Sequence, residues 1–182
     1  MITLRPMEAT LSDYRAMQKW FAEEELQQFV WCDEKGEGLV SIERIEEKYG
    51  GRVKAQTDVF PYFILSEGQP IGFIQYYMQD ERTIGLDMWI GEKEKRSRGY
   101  GTDALRQMAA VIHAKHPDVT TLFIDPEVEN IRAVKCYEKA GFQNAGVFTD
   151  EEGAACYMMK ISFADEETDN ENGNGQADFA PV

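Results

Sequence analysis

Three runs of aromatic and β-branched residues follow one another in the middle of the chain, at 60–65, 71–78 and 83–90. The segments between them, 66–70 and 79–82, are only five and four residues long. Connections this short join antiparallel strands, because a parallel crossover needs about a dozen residues or more. The sequence therefore predicts an antiparallel meander of three strands, which constrains the fold more than any other feature.

Segments with other periodicities lie before the meander. Residues 2–7 are typical of a strand, and residues 11–21 repeat apolar side chains at the spacing of a helix face. A short helix is predicted from Ser41, a good N-cap residue, to Gly50 and Gly51, where a left-handed C-cap costs least. A strand and two helices are thus expected to precede the meander.

Helices and strands alternate after the meander. The predicted elements are a helix from Gly101 that stops before Pro117, a strand at 119–124, a helix capped by Asn130 that ends before Gly141, and strands at 147–148 and 154–163. This order favours an α+β fold in which a central mixed, mostly antiparallel sheet carries helices on both faces.

The end of the chain differs in composition from the rest. Residues 164–182 contain six acids, no Lys or Arg, and a stretch rich in Gly and Asn. Such a segment buries too little apolar surface to offset the entropy of ordering it. We therefore expect one domain over residues 1–163 and an acidic, disordered tail over residues 164–182.

Charge and hydropathy exclude several classes of protein. The formal net charge is −14, of which −8 remains on residues 1–163, so binding to nucleic acid phosphates is disfavoured and a cationic substrate is favoured. No window approaches the roughly 20 apolar residues of a membrane span. The first six residues also lack the layout of a signal peptide, so we expect a cytoplasmic protein.

A basic, glycine-rich turn precedes the helix predicted after the meander. Backbone N–H groups at a helix start are unpaired and carry the positive end of its dipole, and glycines let the backbone approach an anion closely. A pyrophosphate would fit such a turn. Its candidate cofactor-binding residues are Arg96, Ser97, Arg98, Gly99, Tyr100, Gly101 and Thr102.

The same turn also satisfies a dinucleotide-binding pattern. Gly99, Gly101 and Ala104 have the GxGxxA spacing, and Asp125 follows after about 20 residues. That pattern opens directly off a strand in a series of βαβ units, whereas here a basic run and an antiparallel meander precede it. The context therefore disfavours a dinucleotide-binding fold.

Two motifs resemble those of the GNAT superfamily of acetyltransferases. Arg96-x-x-Gly99-x-Gly101 is similar to its pyrophosphate motif Q/R-x-x-G-x-G/A. The stretch 130–142 is similar to N-x-R-A-x-x-x-Y-E-K-x-G-F, and the motifs stand in the expected order. The resemblance covers roughly residues 2–163 and implies the GNAT fold, with acetyl-CoA as cosubstrate and no metal.

Three further stretches, 85–87, 124–126 and 151–158, are similar to the aminoglycoside 6'-N-acetyltransferases. That family uses carboxylates at such positions to hold a polycationic aminosugar. The resemblance implies direct acetyl transfer to a 6'-amino group in a ternary complex, which is an antibiotic-resistance reaction. The acceptor-binding residues implied in this way are Asp87, Asp125 and Glu152.

The resemblance also implies roles in the reaction. Asp87 would accept the ammonium proton, and Tyr137 would donate its phenolic proton to the coenzyme A sulfur. Backbone N–H groups of the strand after Asp87 would bind the acetyl oxygen and the pantetheine amides. The cofactor-binding residues implied outside the glycine-rich turn are Met88, Trp89, Ile90, Asn130, Ala133 and Tyr137.

Other polar and aromatic residues are also candidates for functional roles. Trp31 is expected to line the acceptor cleft, whereas the acidic run 23–25 is better explained as a solvated helix end. Cys136 lacks a Cys-His-Asn constellation and is expected to be a packed thiol. His113 and His116 have no recognisable third ligand, so no metal site is predicted.

Alternative functions remain open at this point. The acceptor could be another amine, such as a polyamine, an amino acid or a protein lysine. The chain could also bind coenzyme A or a dinucleotide without catalysis. The sequence is compatible with a monomer or a homodimer.

Overall fold

A seven-stranded sheet forms the centre of the protein. The computed structural model describes residues 1–27, 29–30, 40–55 and 58–163. The strands are β1 (Ile2–Pro6), β2 (Val59–Ser66), β3 (Gln69–Met78), β4 (Thr83–Ile90), β5 (Thr121–Ile124), β6 (Gln143–Thr149) and β7 (Ala155–Ser162). Their order across the sheet is β1-β2-β3-β4-β5-β7-β6. Within the described ranges β4 and β5 pair in parallel and the other neighbours pair antiparallel, which confirms the predicted meander and fold class.

Helices cover both faces of this sheet, as predicted. They are α1 (Leu11–Phe21), α2 (Glu24–Gln27), α3 (Ile42–Ile45), α4 (Gly51–Ala55), α5 (Tyr100–Lys115) and α6 (Ile131–Ala140). Leu105 and Met108 of α5 pack with Leu86 on one face, and Trp20 of α1 packs with Phe73 on the other. Successive strand side chains point to opposite faces, so the meander supplies both cores at once.

Side chains that accept hydrogen bonds from backbone N–H groups set the starts of several helices. Ser41 accepts from the N–H of Arg44, and Asn130 accepts from the N–H of Ala133. Gly141 ends α6 in a left-handed conformation with a φ of 111°. The sequence predicted these three boundaries correctly, because capping depends on local residues alone.

The predicted helix end at Gly50 and Gly51 is wrong. A π-helical turn, Glu46–Gly50, follows α3, and α4 continues the helical path through Gly51, whose φ is −59°. A Cβ on Gly50 would overlap the buried hydroxyl group of Tyr14, whereas a Cβ on Gly51 would meet nothing within 4 Å. Gly50 therefore serves close packing against α1 and not a left-handed cap.

The two neighbouring glycines provide a matched pair of substitutions. Gly50→Ala is expected to lower the free energy of unfolding by about 1 to 3 kcal/mol, because it forces an overlap in a packed core. Gly51→Ala is expected to raise it by roughly 0.4 to 1 kcal/mol, because alanine restricts the unfolded chain and meets no obstacle. Urea denaturation of both variants measures the difference, and equal effects would contradict the packing role of Gly50.

Candidate active site

The sheet opens between β4 and β5. The two strands pair only over residues 83–85 and 121–123, whereas β4 pairs with β3 as far as Ile90. The N–H of Gln79 donates to the carbonyl of Thr83, which sets the alternation of hydrogen bonds along the β3–β4 ladder. The backbone groups of Met88 and Ile90 therefore point into the gap between β4 and β5.

A cavity of about 560 Å³ occupies this gap. Most of the residues predicted from the sequence line it, although they come from β4, the glycine-rich turn, α6 and the loops after β5 and β6. The predicted residues in its wall are Asp87, Met88, Trp89, Ile90, Arg96, Ser97, Gly99, Gly101, Thr102, Asp125, Asn130, Ala133, Tyr137 and Glu152. Arg98 and Tyr100 do not line it, and Trp31 lies outside the described residues.

The glycine-rich turn ends at the start of α5. Gly99 has a φ of 87°, the left-handed region that glycine adopts without strain, and its carbonyl accepts the first helical hydrogen bond from Asp103. A Cβ on Gly101 would lie 3.0 Å from the Sγ atom of Cys136, so this glycine lets α5 approach α6 closely. The N-terminal amides of α5 are thereby presented at the cavity wall.

Two of the predicted cofactor contacts have side chains engaged elsewhere. Arg96 donates to the carbonyl groups of Ile90 and Gly91, each at 2.9 Å. The ring of Trp89 stacks on Phe73, with 4.5 Å between the ring centroids, and its backbone pairs with β3. Arg96 thus ties the turn to the end of β4, and Trp89 supports the cavity wall from the α1 side.

One member of the acidic run 23–25, Glu25, has a structural role. Glu25 of α2 accepts a hydrogen bond from Arg96 at 3.0 Å and another from Arg132 of α6. The hydrogen bond from Arg132 is the main cause of a lowered pKa for Glu25. The carboxylate is therefore ion-paired across the cavity rim, and the expectation that 23–25 is only a solvated helix end fails for Glu25.

Carboxyl groups from β4 and from the loops after β5 and β6 give part of the cavity wall a negative charge. Burial raises the pKa of Asp125 to about 6, and the nearby charges of Asp87 and then Asp150 add to the rise. Burial also raises the pKa of Asp87. Glu152 lines the same region from the turn after β6 and is exposed. A cation entering this region would relieve the repulsion between the carboxylates.

Sequence reasoning missed two polar residues beside Asp87, of which Gln75 contacts it directly and Arg52 contacts Gln75. The side-chain amide of Gln75 donates to the Oδ2 atom of Asp87 at 2.6 Å, and Arg52 of α4 donates to the Oε1 atom of Gln75 at 2.9 Å. Gln75 is 6% exposed. A polar residue within the apolar run of β3 is a signal that could have identified Gln75, but nothing local identifies Arg52.

Tyr137 extends from α6 toward the cavity and is 7% exposed. Burial is the main cause of a raised pKa for its hydroxyl group, and the neighbouring Cys136 thiol and the charges of Asp87 and Asp125 add to the rise. The phenol therefore stays protonated at neutral pH, the form that a proton donor requires.

The described residues do not supply a metal site or a membrane span. No cluster of three or more His, Cys, Asp or Glu side chains suited to a metal ion occurs among them. Within the same part of the chain, no helix combines the length and the apolar character needed to cross a bilayer.

Comparisons with known proteins agree with this geometry. A family model described as an acetyltransferase (GNAT) domain matches residues 9–149. Aminoglycoside N(6')-acetyltransferase type 1 of Klebsiella pneumoniae is 31% identical over 179 residues, which span 92% of this chain and 86% of that protein. A kanamycin resistance protein of Rhizobium radiobacter is 35% identical over 89 residues, which span 49% of this chain and 82% of that protein.

Solved structures of acetyltransferases are similar to this chain over most of its length. Aminoglycoside acetyltransferase AAC(6')-Ib in complex with coenzyme A and kanamycin superposes with a TM-score of 0.75 at 28% identity, covering 89% of this chain and 95% of that one. Spermidine N-acetyltransferase of Vibrio cholerae, bound to CoA and spermine, superposes with a TM-score of 0.70 at 19% identity, covering 88% and 95%, and shares the fold. The family match, the sheet topology and the motifs together show that the chain belongs to the GNAT family of acetyltransferases.

Proposed function

We propose that this chain transfers an acetyl group from acetyl-CoA to the 6'-amino group of aminoglycosides. The main support for the proposal is that two half-buried carboxyl groups, Asp87 and Asp125, line the same cavity as the glycine-rich turn and α6. A polycationic aminosugar is complementary to those carboxylates. The 31% identity to an aminoglycoside N(6')-acetyltransferase supports the same acceptor.

The cofactor side of the cavity suits a long, anionic thioester. The N-terminal amides of α5 and the turn around Gly99 would bind the pyrophosphate. The backbone N–H groups of Met88 and Ile90 and the carbonyl group of Met88, which point into the gap, would pair with the pantetheine amides, and one of these N–H groups would donate to the thioester oxygen. Acetyl-CoA supplies the acyl group on a thiol that leaves readily.

The proton transfers then fall to two side chains. Asp87 takes a proton from the acceptor's ammonium group, so that the free amine attacks the thioester carbonyl carbon. The new C–N bond forms as the C–S bond breaks, and Tyr137 donates its proton to the departing sulfur. The proton that the nitrogen loses on becoming an amide returns to the Tyr137 phenolate through solvent. No covalent enzyme intermediate is needed, which agrees with the raised pKa values of the Cys136 and Cys156 thiols.

The direct test is acetylation of a defined acceptor panel. Incubation with acetyl-CoA and kanamycin is expected to release free thiol and to yield a singly acetylated product, with NMR locating the acetyl group on the 6' nitrogen. An aminoglycoside with a hydroxyl group at the 6' position is the matched control and should release no thiol. Turnover with spermidine but with no 6'-amino aminoglycoside would reject the proposed acceptor while keeping the chemistry.

Acceptor binding is expected to weaken as the pH falls through about 6. The pKa of Asp125 is raised to about 6, so its carboxylate is charged above that pH and is neutralised below it. Amines that are protonated at pH 7.5 stay protonated as the pH falls, so the acceptor keeps its positive charge while the protein loses a negative one. Calorimetry with kanamycin should show an affinity about tenfold lower at pH 5 than at pH 7.5, a difference of about 1.4 kcal/mol.

Two substitutions identify the group responsible for this pH dependence. Asp125→Asn should weaken binding at pH 7.5 and reduce the pH dependence. Asp118, which is exposed in the turn between α5 and β5 and does not line the cavity, supplies the control, since Asp118→Asn should leave the profile unchanged. An unchanged profile in Asp125→Asn would exclude Asp125 as the titrating group.

A further inference from the structure

A chain of hydrogen bonds connects α4 to Asp87 through the interior. Arg52 donates from Nη1 to the Oε1 atom of Gln75 at 2.9 Å, and Gln75 donates from Nε2 to the Oδ2 atom of Asp87 at 2.6 Å. Gln75 and Asp87 are directly opposite each other in the β3–β4 register. Arg52 also lies over the ring of Tyr49, with its Cζ atom 5.0 Å from the ring centroid, so the guanidinium group is held in place.

The direction of these hydrogen bonds follows from chemistry alone. A guanidinium group can only donate, so it selects the carbonyl oxygen of the Gln75 side chain. The amide nitrogen must then face Asp87, where it can only donate to the carboxylate. Without Arg52, the Gln75 amide could turn over and present its oxygen to Asp87, which would repel the charged carboxylate.

The same arrangement distinguishes the two oxygens of Asp87. Oδ2 is occupied by the Gln75 amide, and Asp87 lines the cavity. We propose that Arg52 and Gln75 are positioning residues that lock Asp87 with Oδ2 bound and Oδ1 directed to the acceptor amine. This inference rests on the proposed function, because it assigns to Asp87 the acceptance of the amine's proton.

Several charged and titratable groups act on Asp87 besides this pair. Burial is the main cause of its raised pKa, and the Gln75 hydrogen bond, Arg52 and Lys48 oppose the rise. The groups that face Asp87 from the packed elements are Lys48 before α4, Arg52 in α4, Tyr77 in β3, Asp125 after β5 and Tyr137 in α6. Arg52 also donates a hydrogen bond to Gln75, so it acts on Asp87 through a chain of contacts as well as through its charge.

An NMR titration of the substrate-free protein tests the inference without any acceptor. Protein labelled with ¹³C at the aspartate carboxyl carbons is titrated, and Asp87→Asn assigns the Asp87 signal. In Arg52→Met, the midpoint of Asp87 is expected to rise by about half to one pH unit. Arg52→Lys should restore part of the shift, and Lys54→Met, which removes an exposed charge from the same helix, should leave the midpoint unchanged.

A double-mutant cycle separates positioning from simple charge. If Arg52 acts through the Gln75 amide, the shift caused by Arg52→Met must become smaller in a Gln75→Leu background. An equal shift in both backgrounds, or an equal shift from Lys54→Met, would overturn the inference. Circular dichroism checks that each variant is folded, and Arg52, which is half-buried in a short surface helix, can be replaced with little risk to folding.

Steady-state kinetics adds a second readout. In Arg52→Met, the acid limb of the kcat/KM profile for the aminoglycoside should move to higher pH by the same amount as the NMR midpoint. The KM for acetyl-CoA should stay unchanged, because Arg52 lies in α4, outside the glycine-rich turn, β4 and α6 that would hold the cofactor. If the NMR midpoint of Asp87 moves but the acid limb of the kcat/KM profile does not, Arg52 has no role in the reaction and the inference is overturned. If the titration is as expected but no aminoglycoside is acetylated, only the proposed function is rejected.

Discussion

Replacing Asp87 with Asn is expected to lower kcat/KM for a 6'-amino aminoglycoside by about 100- to 10,000-fold, the usual contribution of a general base. Asn has the shape of Asp and can still bind near Gln75, but it cannot take the ammonium proton. Asp87 is half-buried and lines the cavity from β4, outside the glycine-rich turn and α5 where the proposal places the pyrophosphate. The affinity for acetyl-CoA should therefore stay within about twofold of the wild-type value.

Steady-state kinetics with acetyl-CoA and kanamycin measures the first effect, and calorimetry with acetyl-CoA measures the second. Asp118→Asn provides a control for the loss of one exposed carboxylate. The pH profile adds a sharper criterion, because the acid limb of kcat/KM that Asp87 causes in the wild type should be missing from the residual activity. Full activity in Asp87→Asn would identify another proton acceptor, and Asp125, which lines the same cavity, would be the next candidate.

Replacing Tyr137 with Phe is expected to slow the chemical step by about 100-fold, at the lower end of the range for general acids. The ring packs with Phe142, with 6.4 Å between the ring centroids, and Phe keeps that contact while removing the hydroxyl group. The thiolate must then leave unprotonated or take a proton from water. The effect should appear in kcat, with the KM for both substrates nearly unchanged.

The control for Tyr137→Phe is Tyr157→Phe, since Tyr157 is half-buried in β7 and does not line the cavity. Because the raised pKa keeps Tyr137 protonated, its loss should lower kcat by the same factor throughout the neutral range. A wild-type kcat in Tyr137→Phe would show that solvent protonates the sulfur. A loss of thermal stability equal to the loss of activity would instead point to a packing role.

Local patterns in the sequence determined much of the fold. The short turns between β-rich runs required antiparallel pairing, and residues such as Ser41, Asn130 and Gly141 marked helix boundaries through their own chemistry. The glycine-rich turn was recognisable because its residue types favour the backbone conformation found there, with Gly99 left-handed at the start of α5. These features depend on residues close together in the chain, so their physical causes are visible in the sequence.

The tertiary structure alone decided which partners the polar side chains find. Arg96 looked like a phosphate ligand, but its guanidinium group bonds the carbonyl groups of Ile90 and Gly91 and also Glu25, which lies 71 residues away in the chain. The sequence predicted a helix end at Gly50, whereas in the structure the hydroxyl group of Tyr14 occupies the space where a Cβ atom would lie. Such contacts depend on how distant elements pack, and local residue preferences do not encode that packing.

The candidate site likewise combines features that the sequence reveals with features that only the tertiary structure reveals. The sequence singled out Asp87 because a carboxylate interrupts an apolar strand, which costs free energy unless the charge is used. It could not show that Arg52 orients Gln75 toward Asp87, because a hydrogen bond between α4 and β3 appears only when the helix lies on the sheet. Residue type and spacing thus indicated the family and the proposed chemistry, and packing decided which oxygen of Asp87 the Gln75 amide occupies.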